Sequence, residues 1–249
     1  MLWPSDSRGM KESLSIVLPV YNEEESIKNV ISDIFLHVGN YTDNFEVIVV
    51  DDGSVDRTPA VLNEIKKEYA DINVVSHDKN RGYGSAIRKG IDLSGKDWIF
   101  VMDSDGQFRV TDFAGFWMNK NGYDFILGYR AERRDNLYRI WLADIGRSLG
   151  NRLLRAHIKD INCGFKLFRS SFLKNVELIS TGGCINFEIL FRLLASDVRF
   201  TQLPVAHYNR IAGRSTGGSI KVILGILSDS LKVIYAKQKR EYPLRQGRS

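Results

Sequence analysis

The sequence predicts an α/β protein: a mostly parallel sheet flanked by helices, with a C-terminal amphipathic helical extension. Three observations carry this. Short, nearly continuous apolar runs alternate with segments of helical periodicity. The runs are rich in β-branched residues, as strands buried on both faces are. Several end in acidic or polar groups, and in such sheets ligands bind beyond the carboxyl ends of the strands.

The elements follow in order. Leu14–Val20 (LSIVLPV) reads as the first strand. Glu23–Phe35 reads as a helix, with Ile27, Val30, Ile31 and Ile34 at helical spacing, Asn22 or a neighbour as its cap and glutamates at its positive end. Phe45–Val50 is a second strand, the turn-rich DDGSVDRTP follows, and Ala60–Tyr69 is a helix. Ile72–Ser76 is a third strand, Asn80–Gly84 a turn and Ser85–Leu93 a short helix. Trp98–Met102 (WIFVM) is a fourth strand that delivers Asp103. The second half is less regular: Phe125–Leu127 and Phe200–Val205 read as strands, Arg139–Arg155 and Phe187–Ala195 as helices.

The chain of 249 residues is long enough for one large core and an appendage. The expected division is a catalytic domain over 1–218 and an amphipathic helix with a basic tail over 219–249. Its hydrophobic fraction of 43 % and charged fraction of 26 % suit a globular protein. The net charge of +5 gathers in part near the C-terminus, at Lys232, Lys237, Lys239, Arg240, Arg245 and Arg248. Such an end suits an anionic partner or is a solvated tail. The stretch Ile220–Tyr235 either packs on the domain or lies in a membrane interface. Cys163 and Cys184 make neither a disulfide framework nor a zinc site, which points to a reduced, cytoplasmic setting. The N-terminus lacks an apolar signal region, and no window is long and apolar enough to span a membrane.

Asp103-Ser104-Asp105 follows the fourth strand directly. Residues two apart in an extended segment point the same way, so both carboxylates can reach one cation. Mg²⁺ and Mn²⁺ take hard oxygen ligands and share them with substrate phosphates. Gln107 is placed to add a third ligand or hold a water. At the second rim, Asp51-Asp52-Gly53-Ser54, one aspartate and Gly53 suit a turn. A carboxylate there can also accept from a ribose hydroxyl or base N–H, with Tyr21 and Glu23 completing a nucleoside pocket. Arg130, Arg133 and Arg134, with Arg210 and Arg214 in the glycine-bearing segment YNRIAGRSTGG, suit phosphate. Metal and arginines together would stabilise a diphosphate leaving group. Asp160 and Glu188 are further acid candidates; Asp160 also suits a turn cap and Glu188 a helix-end salt bridge. His37, His77, His157 and His207 show no metal-ligand spacing and read as structural.

Taken in order, SIVLPVYNEEESI, VIVVDDGSVDRT, NRGYGSAIRKGI, FVMDSDGQF, GYR, DINCGFKLFR and NRIAGRSTG resemble the family-two glycosyltransferases. Within these they are similar to the polyprenyl-phosphate sugar transferases of the dolichyl-phosphate mannose synthase type, from about Leu14 to about Ser219. The resemblance implies a Rossmann-like GT-A fold and inverting transfer from a UDP- or GDP-linked sugar to a polyprenyl phosphate. It implies Pro19, Tyr21, Glu23 and Asp52 around the nucleoside, and Asp103, Asp105 and Gln107 on Mg²⁺ or Mn²⁺. It places Arg130 at the acceptor phosphate and Arg210 and Arg214 at the diphosphate. The family's second acceptor-phosphate element matches only loosely at Arg147–Asn151, where the family pattern prefers a serine in place of Arg147. The implied setting is peripheral, at the cytoplasmic face of a membrane.

A phosphate acceptor is already anionic near neutral pH and needs orientation more than a base. A hydroxyl acceptor would need a base, and Asp160 is the residue to test for it. The rival activities are a soluble transferase with a hydroxyl acceptor and a sugar-phosphate nucleotidyltransferase. The latter usually needs a glycine-rich loop after the first strand, and PVYNEEES has none. A non-catalytic sugar-nucleotide sensor would bind donor without turnover. The acidic rim argues against a nucleic-acid partner.

Overall fold

The computed structural model describes residues 12–131, 148–210, 229–230 and 232–235. A seven-stranded mixed sheet in the order β3-β2-β1-β4-β6-β5-β7 forms its centre. The strands are β1 (Leu14–Val20), β2 (Phe45–Asp51), β3 (Ile72–Ser76), β4 (Trp98–Met102), β5 (Phe125–Arg130), β6 (Phe165–Arg169) and β7 (Phe200–Val205). The helices are α1 (Ile27–Val38), α2 (Thr58–Glu68), α3 (Tyr83–Leu93), α4 (Phe113–Asn119), α5 (148–154), α6 (Ser170–Leu173) and α7 (Ile185–Leu193).

The first four strands pair in parallel, β1 lying between β2 and β4. Every residue of β1 and β4 is buried, which is why these segments read as nearly continuous apolar runs. The order 3-2-1-4 reverses direction between β1 and β4, and the crevice at such a switch point is where open α/β sheets bind ligands.

Beyond β4 the sheet changes character. β6 runs antiparallel to both β4 and β5, while β7 pairs with β5 in parallel. β6 is not read from the sequence, because FKLF places a lysine inside an apolar run. β5 extends to Arg130 rather than stopping at Leu127.

Helices pack on both faces over two main hydrophobic clusters. One joins α1, α4 and the sheet, centred on Phe100, Phe113, Phe116 and Phe165. The other joins α3, α7 and the sheet through Ile87, Ile99, Phe168, Ile185 and Leu190. Burial of such side chains contributes roughly 1.5–3 kcal/mol each.

One helix start needs correction. α1 begins at Ile27, not Glu23, and none of the three glutamates lies in its first turn. Asn22 has φ +56° and accepts from the Val55 amide at 2.9 Å instead of capping a helix. The turn from Glu23 to Ser26 directs the Glu23 carboxylate toward the rim. Of the C-terminal stretch, residues 229–230 and 232–235 are helical; Val233 is buried in the second cluster, and Ser230 Oγ lies 3.3 Å from Cys184 Sγ. Those residues pack on the domain; the rest of 219–249 lies outside the described residues. Cys163 and Cys184 are buried free thiols. No helix among the described residues is long and apolar enough to cross a membrane.

Candidate active site

The carboxyl ends of β2, β1 and β4 lie side by side and are cross-braced. Ser104 Oγ donates to the Pro19 carbonyl at 2.7 Å, and Ser26 Oγ donates to the Ser104 carbonyl at 2.9 Å. The Asp52 amide donates to the Val20 carbonyl at 2.8 Å. Pro19, Asp52 and the Asp103–Asp105 segment are thus held at one rim by short bonds between neighbouring strands.

On the β2 side lies an open cleft of about 370 Å³, lined by residues including Tyr21, Asp51, Ser54, Val55, His77 and Asn80. Asp52 is buried and holds this cleft together. Its carboxylate accepts from the Arg81 amide at 2.9 Å and the Gly82 amide at 2.8 Å, and lies 2.6 Å from His77 Nδ1. Asp51 accepts from the Ser54 amide at 2.9 Å. The second rim is therefore a braced turn, with Asp51 and Tyr21 facing the cleft. Gly53 has φ +73°, and a Cβ there would lie 2.4 Å from the Lys79 carbonyl carbon, so only glycine fits.

Asp103 and Asp105 occupy the end of β4. Burial raises the Asp103 carboxyl above its ordinary value, against a hydrogen bond from Tyr83 and the charges of Lys166 and Arg130. Burial, then the Asp103 charge, pushes Asp105 up to about 6. Asp105 thus stands beside a second carboxylate in a site short of positive charge. Among the described residues no group of three His, Cys, Asp or Glu side chains could hold a metal ion. Two protein carboxylates nonetheless fit Mg²⁺ or Mn²⁺, which leave their remaining positions to water and substrate phosphates. Gln107 donates through Nε2 to the Tyr208 carbonyl at 2.9 Å, and its amide donates to Asp105 at 3.1 Å. It ties the 207–210 segment to the acidic loop.

Gly164 lies against Asp103. Its carbonyl accepts from the Asp103 amide at 3.1 Å, and a Cβ on it would sit 1.9 Å from Asp103 Oδ2. Any side chain there would displace the carboxylate.

The predicted basic groups are partly assembled. Arg130, at the end of β5, makes a bidentate pair with Asp160: Nε to Oδ2 at 2.7 Å and Nη2 to Oδ1 at 3.1 Å. Arg210 pairs with the buried Glu23, whose carboxylate also accepts from Ser26 Oγ at 2.9 Å. Arg133, Arg134, Arg147 and Arg214 lie outside the described residues, as do Gly213, Gly217 and Gly218. Glu188 stands apart from the rim. Fully buried in α7, it pairs with Arg192 at 3.0 Å and accepts from the amides of Ile179 and Ser180. The salt-bridge reading of this residue fits its surroundings.

Sequence reasoning did not single out Tyr83, Lys166 or Asn186. Tyr83 Oη donates to Asp103 Oδ1 at 2.7 Å, and Lys166 Nζ donates to Asn186 Oδ1 at 2.8 Å and to the Cys163 carbonyl. The one legible signal was a lysine inside the apolar run GFKLF.

Residues 15–177 match the model of the glycosyl transferase family 2. The chain is 29 % identical over 227 residues to dodecaprenyl-phosphate galacturonate synthase of Rhizobium johnstonii, covering 86 % of this chain and 65 % of that protein. It is 28 % identical over 220 residues to undecaprenyl-phosphate 4-deoxy-4-formamido-L-arabinose transferase of Edwardsiella ictaluri, covering 84 % and 64 %. The chain thus spans about two thirds of the length of these relatives. In fold it is similar to glucosyl-3-phosphoglycerate synthase of Mycobacterium tuberculosis, solved with Mn²⁺, UDP and phosphoglyceric acid: TM-score 0.67 at 19 % identity, covering 90 % of this chain and 78 % of that one. Mannosyl-3-phosphoglycerate synthase of Rubrobacter xylanophilus gives a TM-score of 0.68 at 17 % identity, covering 96 % and 77 %. The sheet is that of a GT-A fold, and the chain belongs to glycosyl transferase family 2.

Proposed function

We propose that this chain is an inverting glycosyltransferase that moves a sugar from a nucleoside-diphosphate sugar to a polyprenyl phosphate at a membrane surface. The observation that carries the proposal is the Asp103–Asp105 pair at the sheet's switch point. A nucleoside-sized cleft lies on the β2 side of this pair, and Arg130 lies beyond it. In this reading donor, leaving group and acceptor take neighbouring places along the rim. The relatives' names support the acceptor: dodecaprenyl, dolichyl and undecaprenyl phosphates.

In this reading Asp103 and Asp105, with Gln107 beside them, hold Mg²⁺ or Mn²⁺. The cation supplies positive charge to the departing diphosphate. Tyr21 packs on the base, while Pro19, Asp52 and Glu23 shape the nucleoside side. Arg210 and Arg214 serve the diphosphate, so Arg210 exchanges its partner Glu23 for the donor. Arg130 orients the acceptor phosphate. Asp160 uses both carboxylate oxygens to fix the Arg130 guanidinium, which supports an orienting role over that of a base. The acceptor phosphate, with a second pKa of about 6, brings its own negative oxygen.

Residues 1–218 form the catalytic unit in this account, and 219–249 an amphipathic helix and basic tail that touches lipid. The setting is the cytoplasmic face of a membrane, held peripherally. The test is transfer of radiolabelled sugar from UDP- and GDP-linked donors to polyprenyl phosphate, set against water-soluble hydroxyl acceptors. Product in the lipid fraction supports the proposal; product only on soluble acceptors rejects it.

A further inference from the structure

The outer face of α5 has no place in the chemistry proposed above. Gly150 and Leu154 make its inner face: a Cβ on Gly150 would meet Ile161 Cδ1 at 2.6 Å, and Leu154 is 5 % exposed in the second cluster. Leu149 and Leu153, also four residues apart, share an outward face and are 47 % and 37 % exposed. Arg152 and Arg155 are exposed beside them. Residues 148–159 hold these two cations, His157 and Lys159, and no acid. Exposed leucines flanked by arginines are the pattern of a helix that lies in a lipid interface. Leu153 also borders an open groove of about 660 Å³, whose other walls include Phe191, Leu194 and Ile234. Next to Ile234, Tyr235 is 59 % exposed, and tyrosine suits the boundary between water and lipid.

This face is hydrogen-bonded to the acceptor side of the site. Asn151 of α5 donates to the Ile158 carbonyl and accepts from the Ile158 amide, each at 3.0 Å. Gln202 of β7 accepts from the Lys159 amide at 2.7 Å and donates to the His157 carbonyl at 2.8 Å. Lys159 Nζ lies 4.0 Å from the centre of the Tyr129 ring. The residues that follow these two, Asp160 and Arg130, form the bidentate pair. Asp160 comes five residues after Arg155, so the cations at the end of α5 stand within about 18 Å of it.

We propose that the outer face of α5 docks this protein on an anionic bilayer, with Leu149 and Leu153 entering the interface and Arg152 and Arg155 meeting lipid phosphates. A polyprenyl phosphate held by Arg130 keeps its chain in the bilayer, so the bilayer must come within reach of that residue. α5 offers an apolar, cationic surface at that distance. A second copy of this chain fits the face less well, because a two-fold contact would set Arg152 and Arg155 against cations of their own kind. The inference deepens the reading of the acceptor as a membrane-borne polyprenyl phosphate and rests on it for the choice of a bilayer as occupant; the test separates the two.

The full chain is sedimented with phosphatidylcholine vesicles that contain or lack phosphatidylglycerol. An arginine near an anionic surface contributes about fivefold in affinity. Arg152→Gln/Arg155→Gln is therefore expected to weaken binding to the anionic vesicles roughly twentyfold at low salt, and less at high salt. Leu153→Gln weakens binding about tenfold at either salt. Both variants keep the wild-type melting temperature. Both also keep kcat/KM for a short, water-soluble polyprenyl phosphate, which needs no bilayer. Transfer to a long polyprenyl phosphate in the vesicles falls with binding. Wild-type vesicle affinity in both variants overturns the inference and leaves the acceptor reading standing, whether or not Leu153→Gln dissociates a dimer. No transfer by the wild type to either phosphate removes the acceptor reading, while the vesicle titration still decides the face.

Discussion

The two halves of the sheet are built on different rules. From β1 to β4 every pairing is parallel, and the buried strands are almost wholly apolar. Polar groups appear there at the strand ends, where they face the cleft. From β5 to β7 the sheet carries an antiparallel insertion, β6, with Lys166 buried in its middle and the Arg130–Asp160 pair near its edge. The first half offers carboxylates to a ligand and braces them with its own donors; the second places the charges of Lys166 and Arg130 near Asp103 and pairs Arg210 with Glu23. The acidic and the basic groups of the site thus come from separate stretches of the chain.

The comparison can be broken at several places. The largest effect belongs to the first half. Asp105→Ala is expected to lower sugar transfer at least about a thousandfold with a near-wild-type far-UV spectrum and a melting temperature no lower than that of the wild type. Retained transfer, or full wild-type activity in excess chelator, would show that the strand ends bind no cation.

Next in size is a stability effect in the second half. Glu188→Ala leaves Arg192 and the amides of Ile179 and Ser180 without their buried acceptor. Removing one partner of a buried pair costs about 3–5 kcal/mol, read as a lowered urea midpoint. A midpoint shift worth less than about 1 kcal/mol would mean that water replaces the carboxylate freely.

Asp160→Asn sharpens the comparison. If Asp160 only fixes Arg130, KM for the lipid phosphate rises roughly tenfold and kcat changes little. A collapse of kcat with loss of the acidic limb of the pH–rate profile would instead make Asp160 a base.

A further effect is a pH dependence. Asp105 titrates near 6 in the folded protein, against 3.8 for the unperturbed group. Between these values the folded state binds more protons than the unfolded one, so Asp105 makes the metal-free protein lose stability as pH rises from about 4 to about 6. The difference is worth up to roughly 3 kcal/mol. Mn²⁺ binds the ionised form, so the rise in melting temperature that it produces is larger at pH 7.5 than at pH 5. An Mn²⁺ shift independent of pH would contradict the placement of Asp105 at the cation.

The same division explains what the sequence disclosed. β1, β2, β3, β4 and β7 are legible because each is a local run rich in apolar or β-branched residues. The clustering of Asp51, Asp52, Asp103 and Asp105 follows from those strand ends alone. α1 is misplaced at its start because glutamates that favour a helix N-terminus here serve the rim, and Asn22 takes a left-handed conformation to reach Val55. β6 is invisible because a charged residue interrupts it, and besides the nearby Cys163 carbonyl its partners lie far along the chain: Asn186 by hydrogen bond and Asp103 by charge. The pairing of Arg130 with Asp160, 30 residues apart, and that of Arg210 with Glu23, 187 apart, are likewise properties of the fold.

The central claim is that the end of β4 grips a cation for the diphosphate. Crystals grown with Mn²⁺ and a nucleoside diphosphate test it most directly, by anomalous diffraction at the manganese edge. The account predicts one peak within coordination distance of Asp103 or Asp105 and of the diphosphate oxygens. Bound nucleotide with no manganese peak at those carboxylates would contradict it.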